Sequence, residues 1–227
     1  MSNIIDALSW LFTAEAWTGS GGLWLRSLEH LWYTLLALGI SAAVALPLGL
    51  LIGHTGKGRG LAILATGAAR ALPTLGLLTL VALFTGIGLT APMVALVILA
   101  APSVLAGAYA GVESVNPATV DAARAQGMSG WQVLTRVEIQ LGLPLILSGL
   151  RLAALQVIAT ATLAAYVGAG GLGRPLFLGL QTYDYSVMLG ASIVVILLAI
   201  LVDAIFGAGQ RLLRRVPGLA STDVTAR

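Results

Sequence analysis

From about Leu31 to Gly53 the chain runs without a single charged side chain. A helix that crosses a bilayer needs about 20 consecutive, mostly apolar residues, and this run supplies them. The rest of the chain is of the same kind: 58% of its 227 residues are hydrophobic and 9% are charged, and the mean hydropathy is +0.97. A soluble domain carries about 25% charged residues, so the polar side chains here are too few to cover a water-exposed surface. A water-soluble enzyme, a disordered tail and a nucleic-acid-binding module are excluded, and the chain reads as an integral membrane protein. Its pI of 9.7 reflects the high pKa of arginine, because 12 Lys+Arg against 9 Asp+Glu leave a formal charge of only +3. The absence of cysteine removes disulfides, thiolate metal sites and cysteine nucleophiles together. The 28 glycines exceed the usual share of about 7%, and in a membrane chain such a surplus marks close helix packing or breaks between spans.

Span-length runs place an all-α, polytopic fold of about five transmembrane helices, over roughly 31–53, 71–85, 92–112, 145–167 and 186–209. Residues 1–27 form an N-terminal extracytoplasmic segment without the basic start of a signal peptide. In it Ile4, Ile5, Leu8, Leu11 and Phe12 recur at helical spacing, the pattern of a short interfacial helix. Gly53 to Gly60 is a polar, basic loop, and a shallow helix from Leu61 to Arg70 approaches span two. Residues 214–227 form a polar tail. An odd number of spans puts the termini on opposite sides, and basic residues mark the cytoplasmic side. With the C-terminus inside, Lys57, Arg59, Arg70, Arg124, Arg136, Arg151, Arg211, Arg214, Arg215 and Arg227 are cytoplasmic, and only Arg26 and Arg174 lie outside. The expected location is therefore a cell (inner) membrane, with the N-terminus out and the C-terminus in.

The longest polar stretch, 113–144, carries the most information. Asn116 is suited to cap a helix, Pro117 to its first position, and Asp121 to the positive end of its dipole. Gly127 stops that helix with a left-handed cap. Ser129-Gly130-Trp131-Gln132 reads as a capping box that opens a second helix, and Pro144 closes the segment. A helix, a glycine turn and a second helix, held by spans at both ends, suit the docking of a partner. The charges Asp121, Arg124, Arg136 and Glu138 cancel, which argues against DNA reading. An ordinary inter-span loop is the plain alternative.

Asp121-Ala122-Ala123, three residues, Gly127, nine residues and Val137-Glu138-Ile139 resemble the EAA loop of ABC importer permeases. The family pattern is Glu-Ala-Ala, three residues, Gly, nine residues and Ile-x-Leu-Pro. Here Asp121, Val137 and Ile139 are conservative departures, and Gln140 stands where the family has proline, with Pro144 placed to take over the break. Other stretches resemble the osmoprotectant (glycine betaine, carnitine, choline) permeases. These are Glu29-His30-Leu31, Ala45-Leu46-Pro47-Leu48-Gly49, Ala71-Leu72-Pro73-Thr74-Leu75, Ala108-Tyr109-Ala110-Gly111-Val112, Ser148-Gly149-Leu150-Arg151 and Val167 to Gly173. Leu105-Ala106-Gly107 replaces the family's Arg-Asn-Thr. The resemblance covers roughly residues 28–213 and implies a subunit that forms the solute pathway. It also implies ABC ATPase subunits that use ATP and Mg and dock on Asp121, Ala122, Ala123, Gly127 and Val137. A second permease copy, identical or paralogous, and an extracytoplasmic solute-binding protein complete the implied assembly. Membrane lipid surrounds it, and no nucleic acid is involved.

Several features invite other readings. Gly168-Ala169-Gly170-Gly171-Leu172-Gly173 satisfies G-x-G-x-x-G, but a dinucleotide site needs a preceding strand and a following helix, so a flexible outer turn fits better. Gly56-Lys57 lacks the rest of a P-loop, and no cofactor is expected in this chain. His30 and His54 each stand alone at span ends, without a metal-ligand set. Trp24, Trp32, Tyr33, Tyr166, Tyr183 and Tyr185 read as an interfacial belt. Charge inside a membrane is costly, so Arg151 and Asp203 are expected either to snorkel inward or to make a bundle-facing polar contact, in the pathway or with a second copy, and Gln156 is a further candidate to line the pathway. No catalytic residue is expected. A membrane-embedded enzyme would need a nucleophile–base pair or a metal set, and a channel would need a filter or charged ring. An importer of another small solute such as an amino acid is the nearer alternative.

Overall fold

The computed structural model describes residues 2–213, with the side chain of Ser2 left aside. Arg214, Arg215, Arg227 and the rest of the expected tail lie outside the described residues. Every regular element among the described residues is helical. Two short helices, α1 (Ser2–Leu11) and α2 (Ala14–Trp17), precede α3 (Leu23–Thr55), a helix of 33 residues. Then come α4 (Arg59–Ala71), α5 (Thr74–Thr85), α6 (Thr90–Glu113) and α7 (Pro117–Ala125). α8 (Gly130–Val133) continues through a π turn at Leu134–Glu138 into α9 (Ile139–Ala161) and a 3-10 turn at Thr162–Val167. The described residues close with α10 (Gly173–Thr182) and α11 (Tyr185–Leu213).

Four of these stretches are long and apolar enough to cross a membrane: Leu23–Thr55, Thr90–Glu113, Gly130–Val167 and Tyr185–Leu213. The fifth span expected at 71–85 corresponds to a bent helix pair that begins earlier, at Arg59. α4 and α5 are bent by 88° where they meet and count as one span only if taken together. Pro73 lacks an amide proton and holds its predecessor away from the helical region. The 12-residue α5 reaches only ~18 Å at 1.5 Å per residue, short of the ~30 Å hydrocarbon layer.

Span one begins eight residues earlier than the sequence suggests. Arg26 and Glu29, whose charges make this turn look like a loop, pair with each other at 2.8 Å across one helical turn. The expected break at Pro144 does not occur either, since Pro144 lies inside α9. A mid-helix proline costs one hydrogen bond and a steric clash, and membrane helices tolerate it where nearby groups re-satisfy the backbone. The carbonyl freed here is that of Gln140, four residues earlier, near the start of α9.

The chain divides into two compact units. In the unit made of residues 2–40, 70–100 and 154–202, one core cluster gathers Ala16, Leu23, Leu172, Val194 and Leu198, with Trp10, Leu11 and Leu31 against it. A second joins Leu78, Ala91, Ala95 and Val167. The N-terminal helix α1 is therefore docked by Trp10 and Leu11, while Ile4, Ile5, Leu8 and Phe12 stay exposed. The unit made of residues 41–69, 101–153 and 203–213 buries Val104, Ala108, Val112, Val133, Leu134 and Ile146. Its α6 and α9 cross at glycines. A Cβ on Gly107 would lie 2.6 Å from the Gly149 Cα, and one on Gly111 would lie 2.8 Å from the Gly142 carbonyl oxygen. Such backbone contact through small residues spaced four apart is how membrane helices pack without a hydrophobic drive between them.

Candidate functional site

The segment between α6 and α9 is built by local hydrogen bonds. The Asn116 side chain accepts from the Ala118 amide at 2.9 Å and caps α7, with Pro117 in the first turn. At the other end the Gly127 amide donates to Arg124 and the Met128 amide to Ala123, while Gly127 takes a φ of +84°. This pairing closes the orphan carbonyls of the last turn and favours glycine at the left-handed position. Two residues later, the Ser129 amide donates to the Gln132 side chain at 2.8 Å and the Ser129 hydroxyl accepts from the Gln132 amide. The capping box is formed.

Of the residues singled out here, Asp121, Ala122 and Gly127 are exposed, Val137 is half-buried and Ala123 is buried. Asp121 is not at the helix start. It follows Pro117 by four residues, beyond the first turn where the dipole acts, and instead lies 4.0 Å from Arg124. Trp131 is 69% exposed, an outward apolar side chain that the capping-box reading passes over. The same segment holds Glu138, whose carboxylate lies 2.6 Å from Nδ1 of His54. The expectation that His54 stands alone is corrected.

Arg151 and Asp203, read separately in the sequence, form one bidentate pair with both contacts at 2.6 Å. Gln210 extends it, accepting from Arg151 at 3.3 Å and donating to the Ser148 hydroxyl at 3.0 Å. The two side chains are 32% and 37% exposed, and the pair joins α9 to α11. Gln156 is half-buried on α9.

The glycine turn 168–173 is clasped rather than loose. The Gly171 amide donates to Glu29 at 2.8 Å and the Gly170 amide to the Tyr33 hydroxyl at 3.3 Å. Arg174 donates to the carbonyls of Ala169 and Gly168, each at 3.1 Å. Gly168 and Gly171 have positive φ, and Gly173 leaves no room for a Cβ against the Thr162 backbone. The expected flexible turn is therefore corrected: its amides and carbonyls are held by side chains of α3 and by Arg174. His30 is fully buried beneath it, with Nε2 donating to the Ile158 carbonyl at 2.9 Å, so it is no interfacial residue. A cavity of about 510 Å³ opens beside the clasp, lined by Arg26, Gly168, Arg174, Phe177 and Gln181 among others. Trp24, Trp32, Tyr166, Tyr183 and Tyr185 are exposed.

Comparison with known proteins adds to this geometry. The chain is 33% identical over 194 residues to the glycine betaine/carnitine/choline transport system permease of Bacillus subtilis, covering 86% of this chain and 89% of that protein. It is 36% identical over 185 residues to a carnitine transport permease of Listeria monocytogenes, covering 82% and 85% of the two chains. Its fold matches an inward-facing structure of the MetNI methionine ABC transporter with a TM-score of 0.75 at 23% identity, over 85% of this chain and 97% of that one. Residues 36–215 match the family described as binding-protein-dependent transport system inner membrane component. With a polytopic helical fold and a family match over most of its length, the chain belongs to that family and is a permease subunit of a binding-protein-dependent ABC importer.

Proposed function

We propose that this permease passes compatible solutes of the glycine betaine, carnitine and choline type. We propose further that an ATPase docked on the segment 113–144 drives it. The observation that carries the solute class is the likeness, at 33% and 36% identity, to two permeases named for such solutes. Docking is supported by the exposed ledge of Asp121, Ala122 and Gly127 with Trp131 beside it, since tryptophan is a frequent anchor at interfaces. ATP and Mg belong to the ATPase, and this chain supplies no cofactor site of its own. The distribution of Lys and Arg places the N-terminus outside and the C-terminus in the cytoplasm of a cell membrane. Apolar side chains exposed along α3 and α11, such as Leu35, Leu48, Ile196 and Ile200, suit lipid, and a second permease copy completes the pathway. Arg151, Gln156 and Asp203 are candidates to face that pathway or that copy.

Tight recognition of a quaternary ammonium wants an aromatic cage. The apolar stretches of the long helices hold few aromatic residues, so affinity resides in an extracytoplasmic binding protein that docks on the loops around Gly168, Gly170, Gly171 and Gly173. The test is uptake by vesicles that hold the permease with its ATPase. Labelled glycine betaine should enter only with ATP and the binding protein present, and choline or carnitine should compete. Uptake of methionine with no effect of quaternary amines would replace the solute and leave the importer standing.

A further inference from the structure

Among the described residues Glu138 is the only acidic side chain in the buried set, at 4% exposure. It lies in the π turn Leu134–Glu138, and such widened turns recur at functional positions. Leu134, Glu138, Gly142 and Ile146, four apart, make the packed stripe of this helix. An apolar residue would fill the stripe at less cost, because a buried carboxylate is tolerated only with a partner. That partner is His54, in the last turn of α3. The same imidazole lies near Gly130, the first residue of α8, where an added Cβ would come 3.4 Å from its Nε2. One residue earlier, Gly53 packs α3 on α6, where a Cβ would lie 2.7 Å from the Val112 Cβ. The Arg59–Glu113 pair, at 3.6 Å, ties the first residue of α4 to the last of α6.

We infer that His54 and Glu138 are a positioning pair for transport, fastening the end of α3 to the α8–π-turn arm so that the two move as one body. This rests on the reading of the segment as the ATPase dock. When the ATPase displaces the arm, α3 follows through the His54–Glu138 contact, while the tight packing of α6 on α3 and α9 carries the rest.

Two variants test the pair in complexes with the ATPase and the binding protein. His54→Leu/Glu138→Leu removes both polar partners together and leaves neither buried alone. We expect ATPase binding and solute KM as in the parent and a maximal uptake rate at least tenfold lower. In the cysteine-free chain, His54→Cys/Glu138→Cys should be slow as prepared and should regain uptake several-fold when a short bifunctional thiol reagent bridges the two. Parent-level uptake by the leucine pair overturns the proposal, as does cross-linking that leaves uptake unchanged or arrests it. Failure of both variants to assemble while the parent assembles also overturns it, because the pair would then serve folding alone. A parent whose ATPase binding is indifferent to the whole segment, shown by unchanged co-purification of Trp131→Glu, speaks against the docking reading instead.

Discussion

At the scale of single residues, Gly127 is where the backbone demands most. Its φ of +84° is left-handed, and nothing lies within 4 Å of a Cβ placed there, so a larger side chain meets strain but no clash. Gly127→Val should cost about 1–3 kcal/mol locally and misalign α7 and α8. The expected outcome is a protein that inserts at parent level, with uptake at least tenfold down and weakened ATPase co-purification. Gly127→Asn, which tolerates this conformation, should stay within a few-fold of the parent. Equal uptake in all three would show that the turn is a plain connector. Asn116, Pro117, Gly127, Ser129 and Gln132 were legible from sequence because each cap is closed by neighbours within five positions. The Glu138–His54 pair, 84 residues apart, and the Arg151–Asp203 pair, 52 apart, were not. Glu138 carried one available signal, a carboxylate set in an apolar stripe of period four.

At the scale of elements, helices were easier to recognise than their ends. Long apolar runs marked α3, α6, α9 and α11, but prolines misled in both directions. Pro73 ends the approach to α5 with an 88° bend, whereas Pro47, Pro102 and Pro144 lie inside helices. Sequence cannot separate these cases, because the difference lies in which neighbouring groups satisfy the freed carbonyl. The crossing of α6 on α9 makes a sharper claim. Gly107→Leu must open a backbone contact, since even a Cβ would lie 2.6 Å from Gly149, and overpacking of this kind costs typically about 1–3 kcal/mol. Thermal unfolding of the detergent-purified protein should show a lowered midpoint. Gly39→Ala, with nothing within 4 Å of the added Cβ, should show no loss. A midpoint that does not change in Gly107→Leu would mean that the helices do not touch there.

For the molecule as a whole, sidedness is the property that every functional assignment depends on. The chain has no cysteine, so single cysteines report accessibility without background. Gln126→Cys, exposed beside the glycine turn, should react with an impermeant thiol reagent only after the membrane is opened. Thr182→Cys, exposed at the end of α10, should react in intact cells. Labelling of Gln126→Cys in intact cells would reverse the orientation and remove the ATPase dock with it. Positions 126 and 182 flank the Gly130–Val167 span, which is counted whether the total is four or five, so the result holds for either number.

Composition and hydropathy by themselves determined that this chain lives in a membrane as a bundle of helices. Water solubility depends on how much polar surface exists, and that is a property of the sequence before any fold. The helix–glycine–helix arm was likewise determined locally, since caps, turns and left-handed glycines are settled over a few residues. Only the tertiary structure decided that His54 answers Glu138, that Arg151 answers Asp203, and that Glu29, Tyr33 and Arg174 clasp the glycine turn. In a low-dielectric interior each of these groups must find a partner, and the sequence states that need. Which partner meets it depends on how the helices cross, as where α6 meets α9 through the close approach of glycine backbones.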